Sequence, residues 1–416
     1  MKSINEFIAA SAVIIFPASV LVVDKVYGAV FLIVILLGIW QMVTYRKEIF
    51  PISKDEKLFF FSLCIVMVTV VITTVVNNTD MARADRFLAP VLAVPAYIFF
   101  KRYLFEEKYV WIGLLAGTLI AVVVAIYQVF WQFHVWRAVG AVHEIIFGDL
   151  ALVMGVMSLA GIGWFKEKKQ WLIIIPALAF IAGIAASALS LSRGGWVALP
   201  FLLGLIIWYA FKSLSLKKGG GIFALLIIAI GSVYLIPQTG VQKRINLTKE
   251  NINLYLNSHD VNDESRATSI GKRFEMWKAA RIIFYRNVYV GTGWGGYSDQ
   301  VQDMIRKGEI NKSVGKYYHP HNQYLSALAK GGVLGLLGIV ILILIPMVVF
   351  YRSINFSSKV KIDRLALAGL ILLVAYIFFG LSEAILERSR TIIFFSFYLV
   401  VFMSLTMNIR QKKNRD

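Results

Sequence analysis

Apolar residues in this chain come in long unbroken runs, with the polar positions gathered between them. A helix needs about 20 predominantly apolar residues to cross roughly 30 Å of hydrocarbon. Twelve stretches approach that length, near 4–23, 27–44, 58–76, 85–100, 109–130, 145–165, 171–190, 195–211, 221–236, 325–351, 365–383 and 391–409. The pattern predicts an all-α polytopic membrane protein of about 12 transmembrane helices. One interval breaks the rhythm: between Pro237 and Tyr318 no run is long enough to span. The expected organisation is therefore nine spans over residues 1–236, a large external loop over 237–320, and three spans with a tail over 321–416.

Composition agrees, with 58% of the 416 residues hydrophobic and only 16% charged, outside the range of soluble domains. The formal charge of +19 is mostly topological, because Lys and Arg collect in short cytoplasmic loops. With the N-terminus inside, about half of the 43 basic residues fall in cytoplasmic segments. The short outer connections hold only Lys25, Arg83, Arg86, Arg137, Arg193, Arg388 and Arg390. Both termini are thus expected in the cytoplasm, the first run is expected to be a retained helix, and no nucleic-acid partner is indicated. The single cysteine, Cys64, lies inside the third run and excludes a disulfide framework.

Within the loop, 263–287 is helix-compatible, with Phe274, Trp277 and Ile282 and also Arg273, Trp277 and Arg281 at helical spacings. This predicts an amphipathic helix along the membrane face. Ser298 is placed to cap a second short helix reaching Ile310. Between them "GTGWGG", 291–296, follows the strand-like "NVYV" and matches a dinucleotide fingerprint literally. The fingerprint needs a βαβ unit and an acidic residue about 20 positions on, which this segment does not supply, so a glycine turn between surface helices is the better account.

Chemistry concentrates at the outer ends of the spans. Arg193 stands in "LSLSRGGWVAL", and Arg83, Arg86, Arg266 and Arg273 share its side, where basic residues are scarce. A lone arginine there snorkels to lipid phosphate as its ordinary role, but the grouping favours an anionic ligand matched to guanidinium forks. "YYHPHNQYL" places His319 and His321 before the tenth span. Pro320 suits a helix's first turn, which predicts His321 at the helix start, where the dipole favours a neutral imidazole able to act as a base. Asn322 or Tyr324 is a candidate to orient the ring or a substrate hydroxyl. His134, His143, His319 and His321 form no zinc spacing, so no metal is expected. Glu144, Asp149 and Glu383 are outer acidic residues whose ordinary role is to pair with the arginines.

"SRGGW", then "KRFEMWKAARIIFYRNVYVGTGWGGY", then "HNQYLSALAKGGVLGLLG", in this order and over about residues 140 to 340, resembles the bacterial O-antigen ligase and polymerase superfamily. "DRFLAPVLAVP" extends the likeness more loosely. The resemblance implies a membrane glycosyltransferase of the GT-C type in a bacterial inner membrane, working on the periplasmic face without cofactor, metal or nucleotide. It implies transfer of a glycan from undecaprenyl pyrophosphate to a sugar hydroxyl of lipid A-core. It carries the essential arginines to Arg193 and Arg273 and the essential histidine to His321. Arg86 is a looser match for pyrophosphate binding, and Asn322, His319, Trp277 and Arg266 rank below it. A polymerase or a protein glycosyltransferase of the same superfamily would use the same residues. A secondary transporter, the more remote reading, is built from repeated halves with a midplane site, and the two halves here differ.

Overall fold

In the computed structural model the apolar runs become helices and no strand occurs among the described residues, which are 2–45, 52–81, 84–103, 105–132, 137–192, 194–213, 241–258, 260–354 and 362–413. The membrane part contains α1 (Lys2–Ser19), α2 (Val26–Thr44), α3 (Lys54–Val76), α4 (Leu88–Arg102), α5 (Lys108–Phe130), α6 (Glu144–Ala160), α7 (Ile162–Lys168), α8 (Ile174–Leu189) and α9 (Leu199–Ser213). The external segment contributes α10 (Val241–Asn257), α11 (Ser269–Arg286) and α12 (Tyr297–Arg306), and the chain closes with α13 (Gln323–Ser353), α14 (Ile362–Phe379) and α15 (Ser389–Lys413).

This is an all-α multi-pass membrane protein, and among the described residues fewer than twelve helices have the length of a full span. Six helical stretches among the described residues are long and apolar enough to cross a bilayer, or seven if α6 and α7, bent by 44°, form one span. The other expected runs give shorter helices: α4 and α9 have 15 residues each, and α1 and α14 have 18. Residues 221–236 lie outside the described residues.

The two ends of the bundle differ in chemistry. At one, a Ser53–Glu56 capping box opens α3, and the buried Glu56 carboxylate accepts from Tyr97 and Lys101, while Arg410 of α15 pairs with Asp55 at 2.6 Å. At the other end of α15, Arg390 donates to Val20 O at 3.0 Å and to Asp24 at 2.8 Å. The 20 residues from Arg390 to Arg410 rise roughly 30 Å, enough to separate the clusters by a bilayer core.

The helix α13 is broken where it meets the external segment. Gly332 has φ 60° and ψ −156°, and a Cβ there would lie 2.3 Å from the Tyr289 carbonyl carbon. The amides freed by the break, Val333 N and Leu334 N, donate to Val288 O and Tyr289 O at 2.8 and 3.1 Å. Polar backbone inside a membrane protein is tolerated when neighbours satisfy it in this way. "NVYV" therefore forms a turn that docks on α13, not a strand. The following glycines have a packing reason: Gly291 and Gly293 hold φ of 61° and 76°, and Gly293 and Gly295 abut Thr79 and Asp80 at the end of α3.

Residues 276–329 have a core of their own. α11 forms as expected, but its buried stripe is Met276, Ala279, Ala280 and Ile283, packed with Val301, Met304 and Ala329; Phe274 and Trp277 are only half-buried. It packs against α13 and α12. α12 starts at Tyr297, one residue before Ser298, which does not cap it; the N-cap is Gly296. Glu275, fully buried, accepts from Arg266 Nη1 at 2.7 Å, Tyr255 OH at 2.8 Å and Asn311 N at 2.8 Å. Arg266 is thereby committed to holding this segment together, with Nη2 on Ser258 O at 2.9 Å.

Candidate active site

Three separated pieces of chain meet beneath α11. They are 317–323 before α13, 381–390 between α14 and α15, and the "SRGGW" hairpin after α8. One helical turn apart on α11, Arg273 Nη1 donates to Ser382 O at 3.0 Å and Trp277 Nε1 donates to Pro320 O at 3.0 Å. Residues at this spacing share a helix face, so one surface of α11 holds the first two pieces in register. The third approaches through its glycines: a Cβ on Gly194 would sit 2.4 Å from Ser382 Oγ, and one on Gly195 2.4 Å from Asp149 Oδ1. Arg193 lies outside the described residues, as do Arg83 and His134.

At the centre His321 Nδ1 lies 2.7 Å from Glu383 Oε2. His319 Nε2 lies 3.3 Å from Oε1 of the same carboxylate, and Arg388 Nη2 donates to that oxygen at 3.3 Å. Glu383 and His319 are buried, whereas the His321 side chain keeps 15% of its surface exposed. Ionised Glu383 accepts only, so His321 donates from Nδ1 and Nε2 carries the free lone pair. His319 Nδ1 accepts the backbone N–H of His321 at 3.1 Å, which puts its proton on Nε2, toward Glu383.

The helix does not begin where Pro320 suggests. His321 sits outside it in the left-handed region, at φ 49°, and the N-cap is Asn322, whose side-chain oxygen accepts from Tyr324 N and Leu325 N at 3.0 Å each. Asn322 Nδ2 donates to Leu381 O at 3.1 Å. Its job is thus to start α13 and tie it to 381, not to orient the ring. The charge nearest the His321 ring is Glu383, not a helix terminus.

Burial strips solvation from the charged form of His319 and pulls its pKa down to about 2, against the attraction of Glu383. Burial alone would raise the Glu383 carboxyl, but the His321 hydrogen bond, the two imidazoles and Arg388 outweigh it and hold the group at about 2. Burial also lowers the Arg273 guanidinium. A neutral His319 has a consequence for stability. Between about pH 2 and its unfolded value near 6.5 the unfolded chain binds the extra proton, so stability falls as pH drops through that window. We expect the unfolding free energy to fall below about pH 6.5 by up to about 1.4 kcal/mol per pH unit, seen in detergent as a falling thermal midpoint. His319→Asn should flatten the dependence between about pH 6.5 and 4.5, and an unchanged slope in that variant would remove His319 as its source.

Trp277→Phe keeps the packing and removes one hydrogen bond to Pro320 O, so the 319–321 loop loses about 1 kcal/mol of restraint. Turnover is expected to fall about 5- to 10-fold, checked by initial rates beside hydrogen exchange of residues 317–322. A rate unchanged despite faster exchange would show that loop position is not limiting.

His319, His321 and Glu383 bring three ligand atoms within 4.8 Å, a juxtaposition the linear spacing hides. As arranged they do not fit a metal: with His319 Nδ1 accepting a backbone N–H, Nε2 carries a proton where a ligand lone pair is needed. His143 is elsewhere, capping α6 beside Glu144, which pairs with Arg137 at 2.5 Å.

Arg86 Nη1 donates to Glu387 O, and Glu387 is held from the other side by buried Lys330 at 2.5 Å. The segment 381–390 thus gathers Arg273, His321, His319, Arg388, Lys330 and Arg86 around ten consecutive residues. The sequence marks Glu383 as an ionisable candidate whose ordinary role is to pair with an arginine, and Arg388 as an outer basic residue. Two arginines placed five and seven positions after an acidic residue on the outer side was the available signal.

Residues 177–340 match a protein-family model described as O-Antigen ligase. The matched stretch includes the "SRGGW" hairpin, α11 and the loop carrying His321, and stops short of Glu383 and Arg388. An uncharacterized protein of Haemophilus influenzae is 26% identical over 390 residues, covering 94% of this chain and 96% of that protein.

Proposed function

We propose that this chain, whose residues 177–340 match a family model described as O-Antigen ligase, is an O-antigen ligase. It moves a glycan from undecaprenyl pyrophosphate to a sugar hydroxyl of lipid A-core. The observation that carries this reading is the hydrogen bond between His321 Nδ1 and Glu383, 2.7 Å long, in a half-open site edged by Arg273 and Arg388. A carboxylate on Nδ1 leaves Nε2 to take the proton of an acceptor hydroxyl, the arrangement a general base requires. The acceptor oxygen then attacks the anomeric carbon, the bond to the pyrophosphate oxygen breaks, and the proton ends on Nε2.

Charge develops on the departing pyrophosphate, and arginines aimed at it stabilise that charge. Arg273 supplies this role, Arg193 supplies it by its match to the family motif, and Arg86 stands one loop away at Glu387. Direct displacement inverts the configuration at the transferred sugar. The leaving group already carries the activation, so no nucleotide is needed, and the arginines would offset its charge in place of a metal. The bundle places the site at the helix ends opposite the Glu56–Lys101–Arg410 cluster, consistent with a bacterial inner-membrane enzyme that works on the periplasmic face with both termini in the cytoplasm.

The test is reconstitution in liposomes with an undecaprenyl pyrophosphate glycan and a lipid A-core acceptor, followed by mass analysis of the products. Glycosylated lipid A-core is expected. Polymer growing on undecaprenyl pyrophosphate with the acceptor untouched would make the enzyme a polymerase and overturn the ligase reading.

A further inference from the structure

Arg388 is held loosely for a guanidinium beside a buried carboxylate. Its single protein hydrogen bond among the described residues runs from Nη2 to Glu383 Oε1 at 3.3 Å, and its Nε is shielded from solvent with no acceptor. The group lies over the Tyr318 ring at 5.5 Å, and its side chain stays 24% exposed. A guanidinium offers five N–H donors in a planar fork, and a carboxylate beside it ordinarily takes two of them in parallel. Here Glu383 cannot, because Oε2 is taken by His321 and Oε1 is shared with His319. An N–H left unsatisfied away from water is unfavourable, so the resting geometry is that of a cation waiting for another anion.

Its neighbours say where that anion sits. Arg273 is fixed to Ser382 O and Arg388 to Glu383, so the two guanidinium groups are attached to consecutive residues of one loop and flank the His321 partner. Of the other carboxylates nearby, Glu387 is occupied by Lys330 and Asp149 abuts Gly195. The rim of the site therefore carries more positive charge than its acids balance.

We propose that Arg388 binds the donor's pyrophosphate, taking a phosphate oxygen on its Nε–Nη edge in exchange for the long bond to Glu383. The assignment rests on the proposed polyprenyl pyrophosphate donor and adds to it a ligand outside the stretch that matches the family. It also links the two halves of the reaction, because the cation that receives the leaving group is the one that shares the carboxylate of the base.

The experiment measures binding, apart from turnover. Farnesyl pyrophosphate is titrated into the purified full chain in phosphatidylcholine nanodiscs, for the wild type, Arg388→Gln and Arg388→Lys. Loss of a charge-assisted fork is expected to weaken binding about 10- to 100-fold in the glutamine variant. Lysine keeps the charge and the Glu383 pair but not the fork, and should lose about 5- to 10-fold. Equal affinity of the wild type and Arg388→Gln overturns the proposal and leaves the donor reading intact. No binding by the wild type overturns both. Should Arg388→Gln fail to fold, the lysine variant decides, and unchanged affinity there overturns the assignment. A repeat in phosphatidylglycerol discs separates the sources of phosphate: if the anionic lipid removes the difference between wild type and variants, Arg388 serves bilayer headgroups and not the donor.

Discussion

Replacing His321 with alanine is expected to lower glycan transfer by about 10²–10⁴-fold, with donor binding retained. The ring's side-chain hydrogen bond is to Glu383 at 2.7 Å, while the α13 cap belongs to Asn322 and the loop is held by Trp277 through Pro320 O. Position 321 does have a backbone demand, since φ is 49°, and alanine in that region is disfavoured by about 1–2 kcal/mol. His321→Asn separates the two effects, because asparagine accepts the left-handed conformation but has no basic nitrogen. Both variants should bind farnesyl pyrophosphate like the wild type and both should be inactive. An asparagine variant with near-normal turnover would show that position 321 acts through its backbone.

The second large effect is expected at Glu383. Glu383→Gln preserves the shape but removes the charge that fixes the His321 proton on Nδ1, so the ring can adopt the tautomer with Nε2 protonated and unable to accept. A loss of about 10²–10⁴-fold in kcat follows from that wrong tautomer. The donor KM should not rise, because Arg273 is anchored on the Ser382 backbone and Arg388 loses only the carboxylate that it exchanges for the pyrophosphate. A merely structural carboxylate would instead lower stability and raise KM together. Partial recovery in Glu383→Asp, where the charge returns at a longer reach, would support the orienting role, and a glutamine variant with unchanged kcat would exclude it.

Several parts of this arrangement were legible in the sequence. Long apolar runs fix a membrane protein because backbone polar groups in lipid must be satisfied internally, and helices do that. The positions of "SRGGW", α11 and "HNQYL" at one end of the bundle followed from counting spans, and Arg273, Trp277 and the 319–321 loop do meet. The number of full-length spans was less legible, since runs such as 85–100 and 145–165 are equally apolar whether they cross straight, stop short as α4 does, or bend by 44° as α6 and α7 do. The partner of His321 was hidden for a different reason. Glu383 is 62 residues away, beyond two spans, and a pairing set by how α13, α14 and α15 pack leaves no periodic trace. Pro320 misled because its fixed φ suits a helix start and an extended loop equally, and the choice was made by Asn322, whose side chain caps two amides.

Chemical rescue tests the central claim most directly. In the reconstituted assay, His321→Gly removes the ring, leaves space for a small base and tolerates positive φ. With imidazole added, transfer to lipid A-core should return in proportion to the concentration of the unprotonated form, while a Glu383→Gln, His321→Gly double variant should gain less. If imidazole restores nothing in a His321→Gly protein that folds and binds farnesyl pyrophosphate normally, His321 is not the base.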